Sequence, residues 1–193
     1  MEGDRGEDAI TVYSDYVCPF CYLGRLSLER YRRERERPLD VDWRPFDLRM
    51  QKRRDDGSVD WSVDDGKDEA YFDRVRESVR KLKDRYEADE MLSLDELPEN
   101  VDSFPAQVAS YHVQREHPDR WTEFDGALFD ALWLDGRDVG EPDVLAQAAG
   151  SVGLDAQEVL DAVEDAGLRS EVRERFRAAH REGVTGVPTY EHG

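Results

Sequence analysis

Both cysteines of this chain fall in one tetrapeptide, Cys18-Pro19-Phe20-Cys21. The apolar run Ile10-Thr11-Val12-Tyr13 precedes it, and Tyr22 to Glu29 follows with helical spacing. A strand running into a helix puts Cys18 at the helix N-terminus. There the unpaired backbone N–H groups and the macrodipole favour a thiolate over a thiol. Cys21 lies one turn further in, on the same face, near enough to close a small disulfide ring. Pro19 suits the first helical turn, where its missing N–H costs nothing. An activated attacking sulfur beside a resolving one is what thiol–disulfide exchange needs. The spacing predicts Cys18 to be the exposed, more acidic thiol and Cys21 the buried one.

Two blander readings compete. A Cys-x-x-Cys pair is half of a zinc site, but zinc takes four ligands. No second cysteine pair is present, and His112, His117, His180 and His192 show no paired ligand spacing; no metal is expected. Two structural thiols are the other alternative. The N-terminal residues hold no basic and apolar leader, and no run approaches the ~18 apolar residues of a membrane span. A soluble, cytoplasmic protein is therefore expected. In a reducing cytosol an isolated pair is better explained as catalytic than as a structural disulfide.

The chain has 193 residues and a formal net charge of −19, with a pI near 4.6. That length fits one domain, or one domain with a large insertion. The charge argues against nucleic acid or an anionic membrane as partner. Basic residues are arginine except Lys52, Lys67, Lys81 and Lys83. An acidic, lysine-poor surface is what a cytoplasm of molar salt would select, since a charge of this size is screened there within ~3 Å.

Residues 9–14 read as a buried strand, 18–36 as the helix opening on the cysteines, and 39–44 as a second, alternating strand ended by Pro45. This β-α-β start favours a parallel pair. Residues 51–67 read as a mobile surface loop, and 92–102 as another. Phe72, Val75, Val79, Leu82 and Tyr86 make one apolar stripe on a long helix, expected to face the core. Phe104, Val108 and Tyr111 start a helix ending before Pro118. Trp121, Phe124, Leu128 and Leu132 mark the next, with Trp133 at its edge. Further helices are expected over 141–152, from Asp155 (with Glu158 as a capping box) to about 165, and over 169–182. The segment from Gly183 to Tyr190 reads as a tight loop entering a strand.

With Cys18-Pro19-Phe20-Cys21 near one end and Gly186-Val187-Pro188-Thr189 near the other, the chain resembles the DsbA family of thioredoxin-like proteins, in its FrnE-like branch. Ser14-Asp15-Tyr16-Val17, Tyr22-Leu23-Gly24, Trp43 to Leu48 and the stretch from Leu128 to Leu154 carry the resemblance further. It implies an α/β thioredoxin-like fold interrupted by an all-helical insertion: thioredoxin-like halves at 9–50 and 167–193, and a helical domain at 68–166. It also implies Cys18 as nucleophile, Cys21 as resolving thiol and Pro188 as a cis-proline facing them. Val187, with Pro19 and Phe20, would contact substrate, Val187 through its backbone. Asp15 is either a proton acceptor or a solvated, capping carboxylate. No cofactor beyond the redox-active Cys18–Cys21 pair is implied.

Two departures stand out. Phe20 replaces the histidine of periplasmic DsbA, which implies a less oxidising disulfide. The fold normally continues past the cis-proline with a further strand and a C-terminal helix, so those elements are expected to be missing, or the sheet to be completed by another subunit. The leading expectation is a cytoplasmic thiol–disulfide oxidoreductase or isomerase acting on protein or peptide thiols and disulfides. The alternatives are a glutathione-type small-molecule isomerase, related to 2-hydroxychromene-2-carboxylate isomerase, and a non-catalytic binding module.

Overall fold

The structure is a computed structural model that describes residues 9–35 and 39–192. Residues 36–38, at the expected end of the first helix, and residue 193 lie outside the described residues. Strand β1 (Ala9–Ser14) leads into helix α1 (Pro19–Glu34), and β2 (Asp40–Pro45) returns parallel to β1 with Ile10 opposite Val41. Five helices follow: α2 (Glu69–Tyr86), α3 (Phe104–Glu116), α4 (Pro118–Trp133), α5 (Pro142–Ser151) and α6 (Ala156–Glu164). Helix α7 (Ala166–Arg181) then brings the chain back to β3 (Thr189–His192), which pairs antiparallel with β1. The sheet order is β2-β1-β3, and among the described residues β3 is an edge.

Local chemistry sets these boundaries. Asp68 caps α2 by accepting from Tyr71 N at 2.8 Å, and Asp165 caps α7 by accepting from Leu168 N at 2.7 Å. Each satisfies one of the orphan donors of a helix start. Gly153 (φ 77°) and Gly183 (φ 89°) end α5 and α7 in the left-handed region that glycine adopts without penalty.

The core is continuous between sheet and helices. Phe104, Val108, Phe124, Leu128 and Val159 are fully buried, in one cluster with Tyr16, both cysteines and Trp43. Polar ties cross the same boundary. Trp133 Nε1 donates to Tyr16 O at 2.8 Å, Tyr16 Oη to Asp125 Oδ1 at 2.9 Å, and Gln107 Nε2 to Phe46 O at 2.9 Å.

Several sequence expectations need correction or completion. Pro45 ends β2 as expected but is itself the strand's last residue, opposite Ser14, because β2 is an edge strand and tolerates a missing donor there. Trp133 is the last residue of α4, at its edge as expected, yet it is 1 % exposed and so part of the core. The 51–67 loop is anchored: Arg53 bridges to Val59 and grips two carboxylates from a side chain only 6 % exposed. The 92–102 loop holds a short 3-10 turn, Leu94–Glu96, closed by a Ser93–Glu96 capping box. Asp155 caps α6 as expected, but the Glu158 carboxylate turns away to His112 and His117, so the box is half formed. Of the α2 stripe only Val79 is buried; the other four are half-buried, for a reason given below.

Candidate active site

The turn from β1 into α1 is closed by Cys18 N donating to Asp15 O at 3.1 Å. Cys18 is the N-cap of α1, with extended backbone (φ −91°, ψ 116°), and its side chain makes no capping bond. Pro19 occupies the first turn, and Cys21 N and Tyr22 N donate to Cys18 O at 3.1 and 3.3 Å. Cys18 Sγ therefore points off the helix end, and there it meets the far end of the chain. The Val187–Pro188 peptide is cis, and Cys18 Sγ–H donates to Val187 O at 3.4 Å. The structure thus brings Cys18, Cys21 and Val187 together across 169 positions of sequence separation.

Both thiols are free, and each cysteine is 3 % exposed. The expectation of an exposed Cys18 does not hold, because the cis-proline loop lies over it. What separates the two is the cleft. Cys18 lines a cavity of about 730 Å³ and Cys21 does not. Burial pushes the Cys21 thiol well up, and the adjoining Cys18 sulfur adds to the effect.

The α2 stripe faces the core as expected, with Val79 in it and Val75, Leu82 and Tyr86 packed against it. It is left half-buried because Phe72 and Val75 also line this cleft and Leu82 and Tyr86 a neighbouring groove. Phe72 and Val75 line the cleft together with Val17, Pro19, Phe20, Leu48, Gly186 and Val187. Phe20 also borders a second groove of about 440 Å³, where Pro188 and Tyr190 lie beside α1. A Cβ on Gly24 would collide with the Tyr190 hydroxyl and sit 3.4 Å from Pro188 Cγ. The bare backbone at Gly24 is what lets the cis-proline and β3 pack on α1.

Asp15 is wholly buried. Its carboxylate accepts from Leu48 N at 2.9 Å, from Val17 N at 3.3 Å and from the Ser103 hydroxyl. None of these bonds reaches a thiol. Desolvation, followed by the charge of neighbouring Asp47, pushes its carboxyl up to about 6 against the opposing pull of those three donors. Asp47 is in turn held by Arg53, whose guanidinium reaches it at 2.5 and 3.0 Å and Asp102 at 3.0 and 3.2 Å. Sequence inspection finds Asp15 by its closeness to Cys18. It misses Ser103, Asp47 and Arg53, whose partners lie far along the chain. The three-ligand cluster found among the described residues lies elsewhere, at His112, His117 and Glu158.

A strand feeding a helix that opens on Cys-x-x-Cys, met by a cis-proline just ahead of a neighbouring strand, defines a thioredoxin-fold protein. The family model described as DSBA-like thioredoxin domain matches residues 9–192, and the chain belongs to that family. It is 26 % identical over 185 residues to the uncharacterized protein YwbO of Bacillus subtilis, covering 94 % of this chain and 84 % of that one. Among solved structures it is similar to a 2-hydroxychromene-2-carboxylate isomerase, with TM-score 0.77 at 18 % identity over 96 % of this chain and 85 % of the other. It is also similar to a putative protein disulfide isomerase from Nitrosomonas europaea, with TM-score 0.72 at 15 % identity and the same coverage. These structures share its fold.

Proposed function

We propose that this protein is a cytoplasmic thiol–disulfide oxidoreductase that acts on protein or peptide disulfides through Cys18 and Cys21. The observation that carries the reading is Cys18 Sγ at the α1 N-terminus, 3.4 Å from the carbonyl that precedes the cis-proline. In the reducing direction the Cys18 thiolate attacks one sulfur of a substrate disulfide. An S–S bond forms to Cys18, the substrate bond breaks, and one substrate thiolate leaves. Cys21 then gives up its proton and attacks Cys18 Sγ, releasing the second substrate thiolate and closing the Cys18–Cys21 disulfide. Two electrons pass from the pair to the substrate; the oxidising direction is the reverse.

The surroundings support these roles. The rise of the Cys21 thiol keeps it protonated while Cys18 reacts, which orders the two attacks. Once Cys18 is in a mixed disulfide it has no S–H to donate, so the Val187 carbonyl is released to an extended substrate backbone, one rung of strand addition. Phe72, Val75 and Leu48 give the cleft an apolar wall for the flanking side chains.

The test is catalysed reduction of a peptide disulfide by dithiothreitol. The native chain should accelerate it, and Cys18→Ser and Cys21→Ser should each abolish the acceleration; an acceleration that survives Cys18→Ser would overturn the reading. A small-molecule isomerase is the second reading, favoured by a cleft whose volume suits a small ligand and by the similarity in fold to an isomerase. It predicts a thiol-dependent isomerisation that survives Cys21→Ser.

A further inference from the structure

We propose that His112, His117 and Glu158 form a binding site for a divalent transition-metal ion, zinc by its ligand preference, tying α6 to the corner between α3 and α4. On one continuous helix, residues five apart would point about 140° away from each other. Here the helix does not continue. His117 is at once the C-cap of α3 and the N-cap of α4, with φ −134° and ψ 56°, and Pro118 starts the new axis. That break returns the second ring to the first, with centroids 6.2 Å apart and planes at 70°. Glu158 comes from the first turn of α6, 46 and 41 positions further along the chain.

The three groups converge on one point. His112 Nε2 lies 2.9 Å and His117 Nε2 2.8 Å from the same oxygen, Glu158 Oε1. One ligand atom from each residue lies within 4.8 Å of the others. Two imidazoles and a carboxylate are a zinc ligand set, with bonds near 2.0–2.1 Å and hence ligand–ligand separations of about 3.3 Å around a tetrahedral ion. Each ring therefore needs to retreat about half an ångström from the carboxylate, and the two ring nitrogens, within 4.8 Å of each other, to settle at the same separation, for an ion to enter. With both rings neutral the set carries one negative charge, which suits a cation.

The side chains are 17 %, 32 % and 43 % exposed, so an ion reaches them from solvent and water completes its coordination. None of the three lines the cleft at Cys18. The role that follows is a cross-link between helices distant in sequence, gained only in the folded chain.

The test uses the full-length chain carrying Cys18→Ser and Cys21→Ser, so that thiolates do not compete for the ion, titrated with zinc chloride by calorimetry. One ion per chain is expected, with the melting temperature rising by several degrees at a hundredfold excess over Kd. Glu158→Gln keeps the side-chain shape and removes the charged ligand; it should weaken binding at least tenfold and abolish the shift in melting temperature. His117→Gln should do the same, with unchanged helical circular dichroism in the absence of zinc. Binding that is absent, or equally tight in Glu158→Gln, would overturn the site, the latter assigning the zinc to the acidic surface at large.

Discussion

Replacing Asp15 with asparagine should change how stability depends on pH, and by an amount the structure sets. The wholly buried Asp15 carboxyl is pushed from an ordinary 3.8 up to about 6 in the folded chain, first by desolvation and then by Asp47. A shift of about two units is worth ~3 kcal/mol at ~1.4 kcal/mol per unit. The native state holds this proton more tightly than the unfolded chain does. Its contribution to stability is therefore complete below pH 4 and lost as the pH rises through 6. Asparagine cannot titrate, yet its Oδ1 can still accept from Leu48 N and its amide can donate to Ser103. Urea unfolding between pH 4 and 7.5 at constant ionic strength should show the variant gaining ~2.5 kcal/mol on the native chain, most of the full effect, across that range. Asp125, also buried and pushed up to about 6, titrates in both proteins and cancels in the difference. Parallel stability curves would refute the reasoning: Asp15 would then be solvated well enough to ionise normally. Should Asp15 accept the Cys21 proton, the same variant will also slow disulfide closure.

Other perturbations have equally definite outcomes. Arg53→Met removes the guanidinium that holds buried Asp47 together with Asp102. An uncompensated buried charge costs about 3–5 kcal/mol, so thermal or urea unfolding should register that loss; less than ~1 kcal/mol would mean the carboxylates repair themselves with water. Phe72→Ala should cost little stability, since the ring is half-buried in the cleft wall, but should lower kcat/KM for peptide disulfides. Unchanged kinetics would take α2 out of substrate binding. Circular dichroism melts in a potassium chloride series should rise toward molar salt, because self-repulsion from a net charge of −19 is screened there; a flat series would remove the salt-adaptation reading.

The parts of the fold that are legible in the sequence are those decided by local physics. The apolar run of β1, the proline opening α1 and the glycines ending α5 and α7 each act within a few residues, and so the β-α-β start and the helix order were legible. The cis-proline was legible through Gly186-Val187-Pro188-Thr189 only by resemblance, since a loop proline alone has no such meaning. What escaped were contacts made by folding. The α2 stripe has core spacing and packs on the core through Val75, Val79, Leu82 and Tyr86, but an apolar wall of a cleft has the same period, and nothing in Phe72 or Val75 shows that they also line one. Cys18 reads as exposed from its helix position, because its cover comes from Val187. Arg53 sits in a polar loop whose composition says mobile; its carboxylate partners lie six and forty-nine residues away. The two histidines lack ligand spacing until the chain breaks at His117, and their third partner arrives from another helix.

The most direct test of the redox assignment is to trap the mixed disulfide. The Cys21→Ser variant, incubated with a disulfide-bonded peptide and analysed by intact-mass spectrometry, should accumulate one covalent adduct that tandem fragmentation places on Cys18. The corresponding Cys18→Ser variant should accumulate none, because the Cys21 thiol is kept protonated and lies away from the cleft. An adduct that forms faster on Cys21 would reverse the two roles. No adduct in either variant would contradict disulfide exchange as the chemistry of this site.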